Sequence, residues 1–304
     1  MILRAGLMTS PLVHVHIAPP QSAPMRLQEY GVGLFEVAPT RSAWKKVLKK
    51  HYVTVDGHPA TTPTWIRGGE HIQLTMPEDV PPARPLHFPL RVLYEDDHLA
   101  AIHKPGGILV SGNTFKTIAR ALPQNLQPSP RADAVTPQPV HRLDYPTTGI
   151  LLAGKTHSCI VALNQLFEEG HIHKQYYAVT IGVMPTTGRI QSELDAKSAD
   201  TRYTLIKTIP SPRFGALNLV LLQPGTGRRH QLRRHLAGMG NPILGDPTYS
   251  PDHLLLKGKG LYLHAWSIRF SHPVTGEEIH LRDTLPKRFT HLFGPVGQGT
   301  SDNE

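Results

Sequence analysis

The chain has 304 residues, of which 39% are hydrophobic and 18% charged, so it can bury a sizeable core in about two domains. Lysine and arginine outnumber aspartate and glutamate by 32 to 23, and this formal charge of +9 favours polyanionic partners such as nucleic acid. The single cysteine excludes a disulfide framework and a multi-cysteine zinc site, and no apolar run approaches the roughly 18 residues of a membrane span. We therefore expect a soluble, cytoplasmic protein.

The first element with a clear signal is an amphipathic helix near residue 45. Trp44, Val47 and Leu48 lie at spacings i, i+3 and i+4 and form an apolar stripe. Lysines surround this stripe, namely Lys45, Lys46, Lys49 and Lys50. A basic helix face can bind phosphates, and it is also typical of an ordinary solvated surface.

Two short strands are predicted directly after this helix, because Asp56-Gly57 is a typical two-residue hairpin turn. Together with the helix they predict a small unit over residues 25–80. Residues 1–24 are expected to precede it as an extension. Clustered prolines predict a linker over residues 81–90, since proline cannot continue a helix or a central strand.

A larger domain is predicted over residues 91–292, followed by a flexible tail over 293–304. Strands are expected within residues 91–105, 140–155, 174–183, 216–224 and 261–273, whereas residues 119–139 are expected to be mostly loop. Helices are expected at residues 157–169, before Gly170, and in a basic segment that ends at Gly238. Strands outnumber helices without alternating with them, so we predict an α+β fold with a central, mostly antiparallel mixed sheet flanked by helices and loops.

The first constellation that could carry chemistry is His141-Arg142-Leu143-Asp144, which precedes a turn rich in proline, threonine and glycine. A turn between two apolar segments is a position where a scaffold displays a reactive side chain, which makes Asp144 a candidate. The same pattern is typical of an aspartate that caps the local backbone through its carboxylate. Both interpretations stay open at this point.

The second constellation is the basic segment 225–235, which reads GTGRRHQLRRH. Arg229 and Arg233 share a helix face at spacing i, i+4, and four neighbouring arginines repel one another unless an anion faces them. One interpretation is a solvated basic face. The other turns one arginine inward to a carboxylate and holds the others for phosphates, since guanidinium is permanently charged and binds both bidentately.

The third constellation is Lys174-Gln175-Tyr176-Tyr177-Ala178. Neighbouring residues of a strand face opposite sides, so Tyr176 and Tyr177 are expected to point apart. For either tyrosine alone, packing in or beside the core is the plainer explanation.

Taken together and in order, these segments resemble the RluA-type RNA pseudouridine synthases. The resemblance rests on four segments: HRLDYPTTGILLAGK, K-x-Y-x-A, GRRHQLRRHLAGMGNPILGDPTY and LHAWSIRFSHPVTGE. It runs from about residue 90 to 290, and VLYEDDHLAAIHKPGGILV resembles the opening strand pair of that family. Residues 42–74 resemble the small alpha-L RNA-binding module shared with a ribosomal protein. The resemblance thus implies a small N-terminal RNA-binding module joined to a pseudouridine synthase domain.

The resemblance also implies an activity, the isomerisation of uridine in RNA to pseudouridine without a metal, nucleotide or redox cofactor. It implies Asp144 as nucleophile or base and Arg233 as its ion-pair partner. It also implies that the Tyr176 ring stacks on the flipped base and that its hydroxyl could help remove the C5 proton. An opposite charge within about 4–6 Å favours the ionised carboxylate. Asp144 could add to the anomeric carbon of ribose, add to C6 of uracil, or deprotonate the ribose. We expect Arg233→Ala to abolish activity nearly completely while leaving folding intact.

Further substrate contacts follow from the same resemblance. Arg142 is expected to fill the space left by the extruded uridine, and Leu263 to form an apolar pocket wall. The other expected contacts to RNA are His141, Arg228, Arg229, Gln231, Lys45, Lys46 and Lys49. Tyr145 and Thr148 stand where the family often has arginine and serine, which bears on the choice of target.

The expected partner is RNA, with ribosomal RNA favoured over transfer RNA, and we expect neither a membrane nor a nucleotide cofactor as partner. A monomer is the default expectation. Two other classes of function stay open: a catalytically silent RNA-binding or ribosome-assembly protein, and a hydrolase that uses Asp144 with a histidine. The silent protein is disfavoured because binding alone needs no buried nucleophile, and a hydrolase needs a paired acid or base at a defined distance.

Overall fold

The computed structural model describes residues 12–76, 86–256 and 258–295. An N-terminal unit comes first. Its elements are β1 (Leu12–Ile17), β2 (Met25–Arg26), α1 (Leu27–Tyr30), α2 (Arg41–Lys49), β3 (Val53–Val55), β4 (His58–Pro59), β5 (Trp65–Ile66) and β6 (His71–Met76). Within the described residues, β1-β6-β3-β4 form a four-stranded antiparallel sheet, and β2 pairs with β5.

The α2 helix packs its apolar stripe into the core of this unit, as predicted. Trp44, Val47 and Leu48 are buried, and the indole Nε1 of Trp44 donates to the backbone oxygen of Leu27 at 2.7 Å. Thr40 caps the helix by accepting from the backbone amide at residue 43. The predicted lysine face therefore stays exposed on the opposite side of α2.

The predicted boundary of the N-terminal extension is wrong for residues 12–17. These residues form β1 and pair with β6 over their whole length, so they belong to the sheet of this unit. The signal in the sequence is strict alternation, since Val13, Val15 and Ile17 are exposed at every second position. Residues 1–11, and residues 77–85 of the predicted linker, lie outside the described residues.

The larger domain contains the remaining elements. These are β7 (Arg91–Glu95), β8 (Leu99–Lys104), α3 (Ile118–Ala121), β9 (Ala134–Pro139), β10 (Thr148–Thr156), α4 (His157–Glu169), β11 (His173–Ile181), β12 (Thr187–Leu194), β13 (Lys197–Ser211), β14 (Gly215–Pro224), α5 (Gln231–Gly238), β15 (Leu263–Ser271), β16 (Glu278–Arg282) and α6 (Lys287–Phe293). Within the described residues, ten strands form one sheet along the path β12-β13-β14-β11-β15-β10-β8-β7, with β16 beside β15 and β9 beside β10.

The predicted α+β class and mixed sheet are confirmed, since β10 and β15 are parallel whereas the other paired strands are antiparallel. The parallel contact is short and depends on Gly149. A Cβ atom at Gly149 would lie 2.2 Å from the backbone oxygen of Ala265, and the φ angle of +115° disfavours other residues. Glycine therefore allows β10 and β15 to pair at this point.

Several elements differ from the prediction. His141–Asp144 form a loop rather than the start of a strand, and residues 134–139 form β9 in the segment expected to be loop. β9 tolerates Pro137 and Pro139 because it has a neighbouring strand on one side, at β10. The hairpin of β12 and β13 and the helix α6 were not predicted. Because Phe293 ends α6 and is buried, the predicted tail cannot begin at residue 293, and residues 296–304 lie outside the described part.

The N-terminal unit contacts the larger domain at β9 and at the start of α4. The backbone amide of Thr136 donates to the oxygen of Gly33 at 3.0 Å, and Nε2 of Gln138 donates to the oxygen of Val32 at 2.9 Å. The rings of Tyr30 and His157 lie 4.5 Å apart. Because β9 leads into the loop that carries Asp144, the unit is joined to the segment just before the candidate site. No helix in the described residues is both long and apolar enough to cross a membrane.

Candidate active site

A cleft of about 1880 Å³ opens where the large sheet divides. β11 pairs with β15 over residues 173–178 and with β14 over residues 176–181. The first part of β11 therefore follows β15 and separates from β14. Tyr176 is the residue at which the two halves of the sheet part, and Asp144, Arg233 and Tyr176 all line the cleft that results.

Asp144 lies in the loop between β9 and β10, and a buried lysine fixes that loop. Nζ of Lys104 donates to the backbone oxygens of Pro105, Tyr145 and Thr147 at 3.0, 3.2 and 2.8 Å. The Lys104 side chain is fully buried. Burial lowers the pKa of Lys104 to about 8, although the negative charge of Asp144 acts in the opposite direction. Lys104 thus holds the backbone of the Asp144 loop through hydrogen bonds and adds a positive charge near the carboxylate.

Arg233 enters the site from α5, which begins with an unusual turn at His230. The φ angle of His230 is +52°, in the left-handed region, and its Nδ1 lies 2.9 Å from the hydroxyl of Tyr249. Non-glycine residues in this region occur more often at functional sites than elsewhere. The turn starts the helix so that Arg233 faces inward and is buried.

The guanidinium of Arg233 is held by Asp246 as well as by Asp144. Nε and Nη2 donate to the two carboxylate oxygens of Asp246 at 2.7 and 2.8 Å, and Nη2 also donates to Oγ1 of Thr248 at 3.0 Å. The ring of Tyr249 lies 5.0 Å from the guanidinium carbon. Burial lowers the pKa of Arg233, but the hydrogen bonds and charges of Asp246 and Asp144 outweigh this and raise it overall. Arg233 is therefore a permanent cation.

The third nitrogen of this guanidinium, Nη1, faces Asp144. Nη1 of Arg233 donates to Oδ2 of Asp144 at 3.2 Å, and Nε2 of His230 lies 3.8 Å from Oδ1. Burial lowers the pKa of His230 in spite of the nearby Asp144, so His230 is neutral near pH 7. Only 15% of the Asp144 side chain is exposed. The Asp144 carboxylate thus lies in the cleft, largely buried and beside the fixed cation of Arg233. The hydrolase alternative lacks a directly hydrogen-bonded histidine, since 3.8 Å exceeds such a bond.

Tyr176 lies beside this carboxylate, whereas Tyr177 packs in the core. Burial, with a smaller contribution from the charge of Asp144, raises the pKa of Tyr176 well above its usual range. The Tyr176 hydroxyl therefore stays protonated at neutral pH. Tyr177 is buried and makes an edge contact with Trp266, with ring centroids 5.0 Å apart. The choice of Tyr176 over Tyr177 agrees with this placement.

Two residues expected to bind substrate, His141 and Gln231, line the cleft but also bond to the protein, through Nε2 of the histidine and the whole amide of the glutamine. Nε2 of His141 accepts from the backbone amide of Leu152 at 2.9 Å, its ring lies 4.7 Å from that of Phe167, and burial lowers its pKa to about 3. The buried amide of Gln231 bonds to four protein groups. These partners are Oγ1 of Thr226 and the amide of Arg228 on Oε1, and the oxygen of Asp200 and Oγ1 of Thr201 on Nε2. Both side chains hold the cleft wall in place.

The other expected contacts are distributed over two places. Arg142, Arg228, Arg229 and Leu263 line the cleft, where Arg228 also donates through Nε to the oxygen of Ser198 at 3.0 Å. The lysines do not line it and instead lie exposed on α2 of the N-terminal unit, namely Lys45, Lys46 and Lys49. The cleft and the lysine face are thus separate basic surfaces.

Sequence reasoning assigned no role to Lys104, His230 or Asp246. The sequence contained a signal for each of them, since they lie in HKPGG, GRRHQ and GDPTY, the segments that carry the family resemblance. Their partners could not be read from the sequence, because Lys104 contacts a loop about forty residues away. Among residues 12–76, 86–256 and 258–295, no group of three or more histidine, cysteine or acidic side chains could hold a metal ion.

Comparisons with known proteins point in one direction. A family model described as RNA pseudouridylate synthase matches residues 98–238. The chain is 32% identical to ribosomal large subunit pseudouridine synthase D of Xanthomonas campestris over 295 aligned residues, which cover 86% of each chain. It is 31% identical to the protein of the same name from Vibrio cholerae, covering 81% of this chain and 84% of the relative. Human RNA pseudouridylate synthase domain containing 4, a solved structure, matches with a TM-score of 0.54 and 28% identity, over 66% of this chain and 90% of that one.

Proposed function

This chain belongs to the RNA pseudouridylate synthase family, in its RluA-type branch, and is an RNA pseudouridine synthase; from this premise we propose that Asp144 carries the reaction and that the substrate is ribosomal RNA. The single observation that supports the catalytic assignment is the ion pair of Asp144 with Arg233. It holds the carboxylate against a fixed cation, at a position where only 15% of the Asp144 side chain is exposed. A carboxylate in such a position can act as a nucleophile or a base.

The reaction breaks the bond between C1′ of ribose and N1 of uracil and forms a bond from C1′ to C5. C5 loses its proton and N1 gains one, so the product is an isomer of the substrate. Each proposed residue has one role in these steps. Asp144 starts the reaction by addition to the anomeric carbon, by addition to C6 or by deprotonation of the ribose. Arg233 keeps the carboxylate charged and aimed into the cleft. Tyr176 stacks on the base, and its hydroxyl, which stays protonated, acts as a hydrogen-bond donor rather than as a phenolate.

Arg142 is proposed to occupy the space that the uridine leaves. A stacked base hides its reactive atoms, so the target has to turn out of the RNA at a cost of a few kcal/mol. This role is supported by the position of Arg142, which is exposed on the cleft wall two residues before Asp144. Contacts of Arg228 and Arg229 to flanking phosphates would offset part of this cost.

Ribosomal RNA is proposed as the substrate because the Xanthomonas and Vibrio relatives are named for the large ribosomal subunit. The N-terminal unit supports RNA binding through the exposed lysine face of α2. We expect the enzyme to act in the cytoplasm, as a monomer and without a nucleotide cofactor. The boundaries of the two units are proposed as residues 12–76 and 86–295.

The experiment uses the Asp144→Asn enzyme and large-subunit ribosomal RNA from a strain that lacks this gene. Wild-type enzyme should create pseudouridine at one or a few sites, mapped by a chemical block to reverse transcription. Asp144→Asn should bind the same RNA with unchanged affinity but convert it at least about a thousandfold more slowly, since it removes the proposed nucleophile. Turnover near the wild-type rate would reject the assignment. Sites in transfer RNA alone would reject the proposed substrate.

A further inference from the structure

Two β-bulges place apolar side chains in the cleft, on a part of its wall to which the proposed mechanism assigns no role. In β15, Ala265 pairs with Tyr176 and Ser267 pairs with Gln175, so Trp266 is the extra residue of a bulge. In β13, Leu205 pairs with Val220 and Lys207 with Leu219, so the residue between them, Ile206, is the extra residue of a second bulge. Bulges often redirect a side chain next to an active site.

Trp266, Tyr177 and Leu221 form an apolar strip, and Ile206 lies at its β13 end, two residues from Thr204, the partner of Leu221. Trp266 contacts the ring of Tyr177, Tyr177 pairs with Leu221 across β11 and β14, and all four residues line the cleft. Directly paired residues share a face of a sheet, so the strip crosses from β15 to β13 on one side. Ile206 is 44% exposed, and Trp266 and Leu221 are half-buried, so the strip presents its surface to solvent.

The apolar strip lies on the face of the sheet opposite Tyr176, because Tyr176 and Tyr177 are neighbours on β11. Both faces nevertheless line the same cleft, because the sheet divides at this point. A chain that places one residue against Asp144 can therefore continue through the division onto the strip.

The charges beside the apolar strip are positive. The guanidinium carbon of Arg282 lies 5.5 Å from the centre of the Trp266 ring, and Arg202 is exposed on β13 at the other side. Both arginines line the cleft. Aromatic and apolar surface between arginines is the usual arrangement for single-stranded RNA, whose bases stack while its phosphates contact the cations.

We propose that the apolar strip binds the single-stranded RNA next to the target uridine, with a flanking base stacked on Trp266. This inference rests on the proposed function, since it extends the same cleft, and it assigns the strip to substrate binding rather than to the reaction. It also predicts that the enzyme prefers targets whose neighbours are unpaired, because a base in a duplex cannot reach the indole ring.

The first test measures binding without turnover. In a Trp65→Phe protein, two of the three tryptophans remain. Trp44 is fully buried, and Trp266 is half-buried at the cleft. A single-stranded oligouridylate of about twelve nucleotides should quench the emission of Trp266, since stacking on a base does so. Trp266→Ala should raise the dissociation constant of the oligouridylate roughly tenfold. Trp266→Phe should raise it less than about threefold, since phenylalanine still stacks.

Ile206→Ala supplies a second variant that does not disturb the core, because the side chain is exposed. Its matched control is Val274→Ala, another exposed β-branched residue of the same domain that does not line the cleft. We expect weaker oligouridylate binding for Ile206→Ala and wild-type binding for Val274→Ala. Two results together would overturn the proposal. One is wild-type affinity in both Ile206→Ala and a folded Trp266→Phe/Ile206→Ala protein. The other is unchanged Trp266 emission when oligouridylate is added to the Trp65→Phe protein.

Failure of this inference can be distinguished from failure of the proposed function. If Asp144→Asn still converts RNA while Trp266→Ala loses oligouridylate binding, the catalytic assignment fails and the apolar strip stands. If Asp144→Asn is inactive but duplex RNA competes for the strip as well as the single strand does, the strip assignment fails. A dimer in sedimentation that Trp266→Ala dissociates would also overturn it, since a second copy would then be the occupant.

Discussion

Asp246 binds the guanidinium of Arg233 through two hydrogen bonds of 2.7 and 2.8 Å, and the side of the guanidinium that remains faces Asp144. Asp246 is fully buried, so this pair has one orientation. The guanidinium thus contacts two carboxylates, and its bidentate pair with Asp246 is the fully buried one. The second carboxylate, Asp144, has the longer contact at 3.2 Å and is the one that the cleft exposes to a substrate.

We expect Asp246→Asn to lower turnover about a hundredfold while leaving RNA affinity within about threefold. The amide keeps the shape but removes the charge, so Arg233 has one anionic partner left and moves toward Asp144. Kinetics with a ribosomal RNA transcript should show a loss in kcat rather than in KM. An unchanged kcat would show that Asp246 does not position Arg233.

Asp195→Asn is the matched control for this prediction. Asp195 pairs with Arg234, the next residue of α5, at 3.1 Å, but its side chain is 66% exposed. Exposed pairs contribute about 0–1 kcal/mol, so neither activity nor stability should change measurably. Asparagine also tolerates the positive φ of +55° at this position.

Arg233→Ala should lose both activity and stability, which differs from the expectation drawn from sequence. Folding was expected to stay intact because the sequence indicated only Asp144, which lies at the cleft, as the ion-pair partner of Arg233. The structure adds Asp246, whose buried charge would lose its partner, at a cost of about 3–5 kcal/mol. Denaturant unfolding should detect this loss. An Arg233→Ala protein as stable as the wild type would contradict the role of the buried pair.

Tyr176→Phe should lower kcat by about tenfold to a hundredfold and leave KM nearly unchanged, because the ring still stacks and only the hydroxyl is lost. Since burial raises the pKa of Tyr176, its hydroxyl stays protonated through the working range. The pH profile of the wild type should therefore contain no rise between about pH 6 and pH 10 that the Tyr176→Phe variant lacks. Such a rise would show that the phenolate is the active form.

Lys104 predicts a decrease of activity in mild alkali. Its pKa is lowered to about 8, so above that pH the ammonium becomes an amine with two hydrogens for three backbone oxygens. The positive charge behind Asp144 is lost in the same step. We expect kcat to fall with a midpoint near pH 8, and Lys104→Met to be less active but without this decrease.

The stability of the fold should move in the opposite direction over the same range. Because the folded protein binds the Lys104 proton more weakly than the unfolded chain does, the contribution of Lys104 to the free energy of unfolding increases from about pH 8 to about pH 10.4. Urea unfolding at both pH values, compared between the wild type and Lys104→Met, measures this contribution. If activity and the stability contribution of Lys104 both fell over this pH range, the role assigned to Lys104 would be contradicted.

The lysines of α2 should contribute to RNA affinity through salt-dependent contacts. Lys45, Lys46 and Lys49 changed together to glutamine should reduce the slope of log affinity against log salt by about 2, since each phosphate contact contributes about 0.7–0.9. The control changes three exposed lysines outside both the cleft and α2, namely Lys116, Lys197 and Lys259. Equal slopes for the two triple variants would show that the α2 face does not contact RNA.

Local patterns predicted local structure well. Residues 157–169 form α4, and Gly170 ends it with a φ of +79°, as its position after the apolar stripe indicated. Asp56-Gly57 forms the expected turn, with positive φ at both residues. Each of these features depends on residues within one or two turns of the chain, which periodicity and turn chemistry describe.

Partners that are distant in sequence could not be predicted. His141 and Gln231 were expected to contact substrate because of the family resemblance, and both line the cleft. The first bonds to Leu152 and the second to residues near position 200, neither of which the sequence could place beside it. The sequence likewise did not indicate roles for Lys104 and Asp246. Their roles depend on the loop and the arginine that folding brings next to them.

The division of the sheet at Tyr176 has a consequence for how much the enzyme can adapt to its target. β11 is bonded to β15 up to residue 178 and to β14 from Tyr176 onward, so the gap cannot widen unless one of these ladders breaks. Shape change on binding must then come chiefly from the RNA. RNA changes shape at the lowest cost around uridines in loops, bulges or partly assembled particles. This favours modification early in the life of the transcript, before its helices are complete.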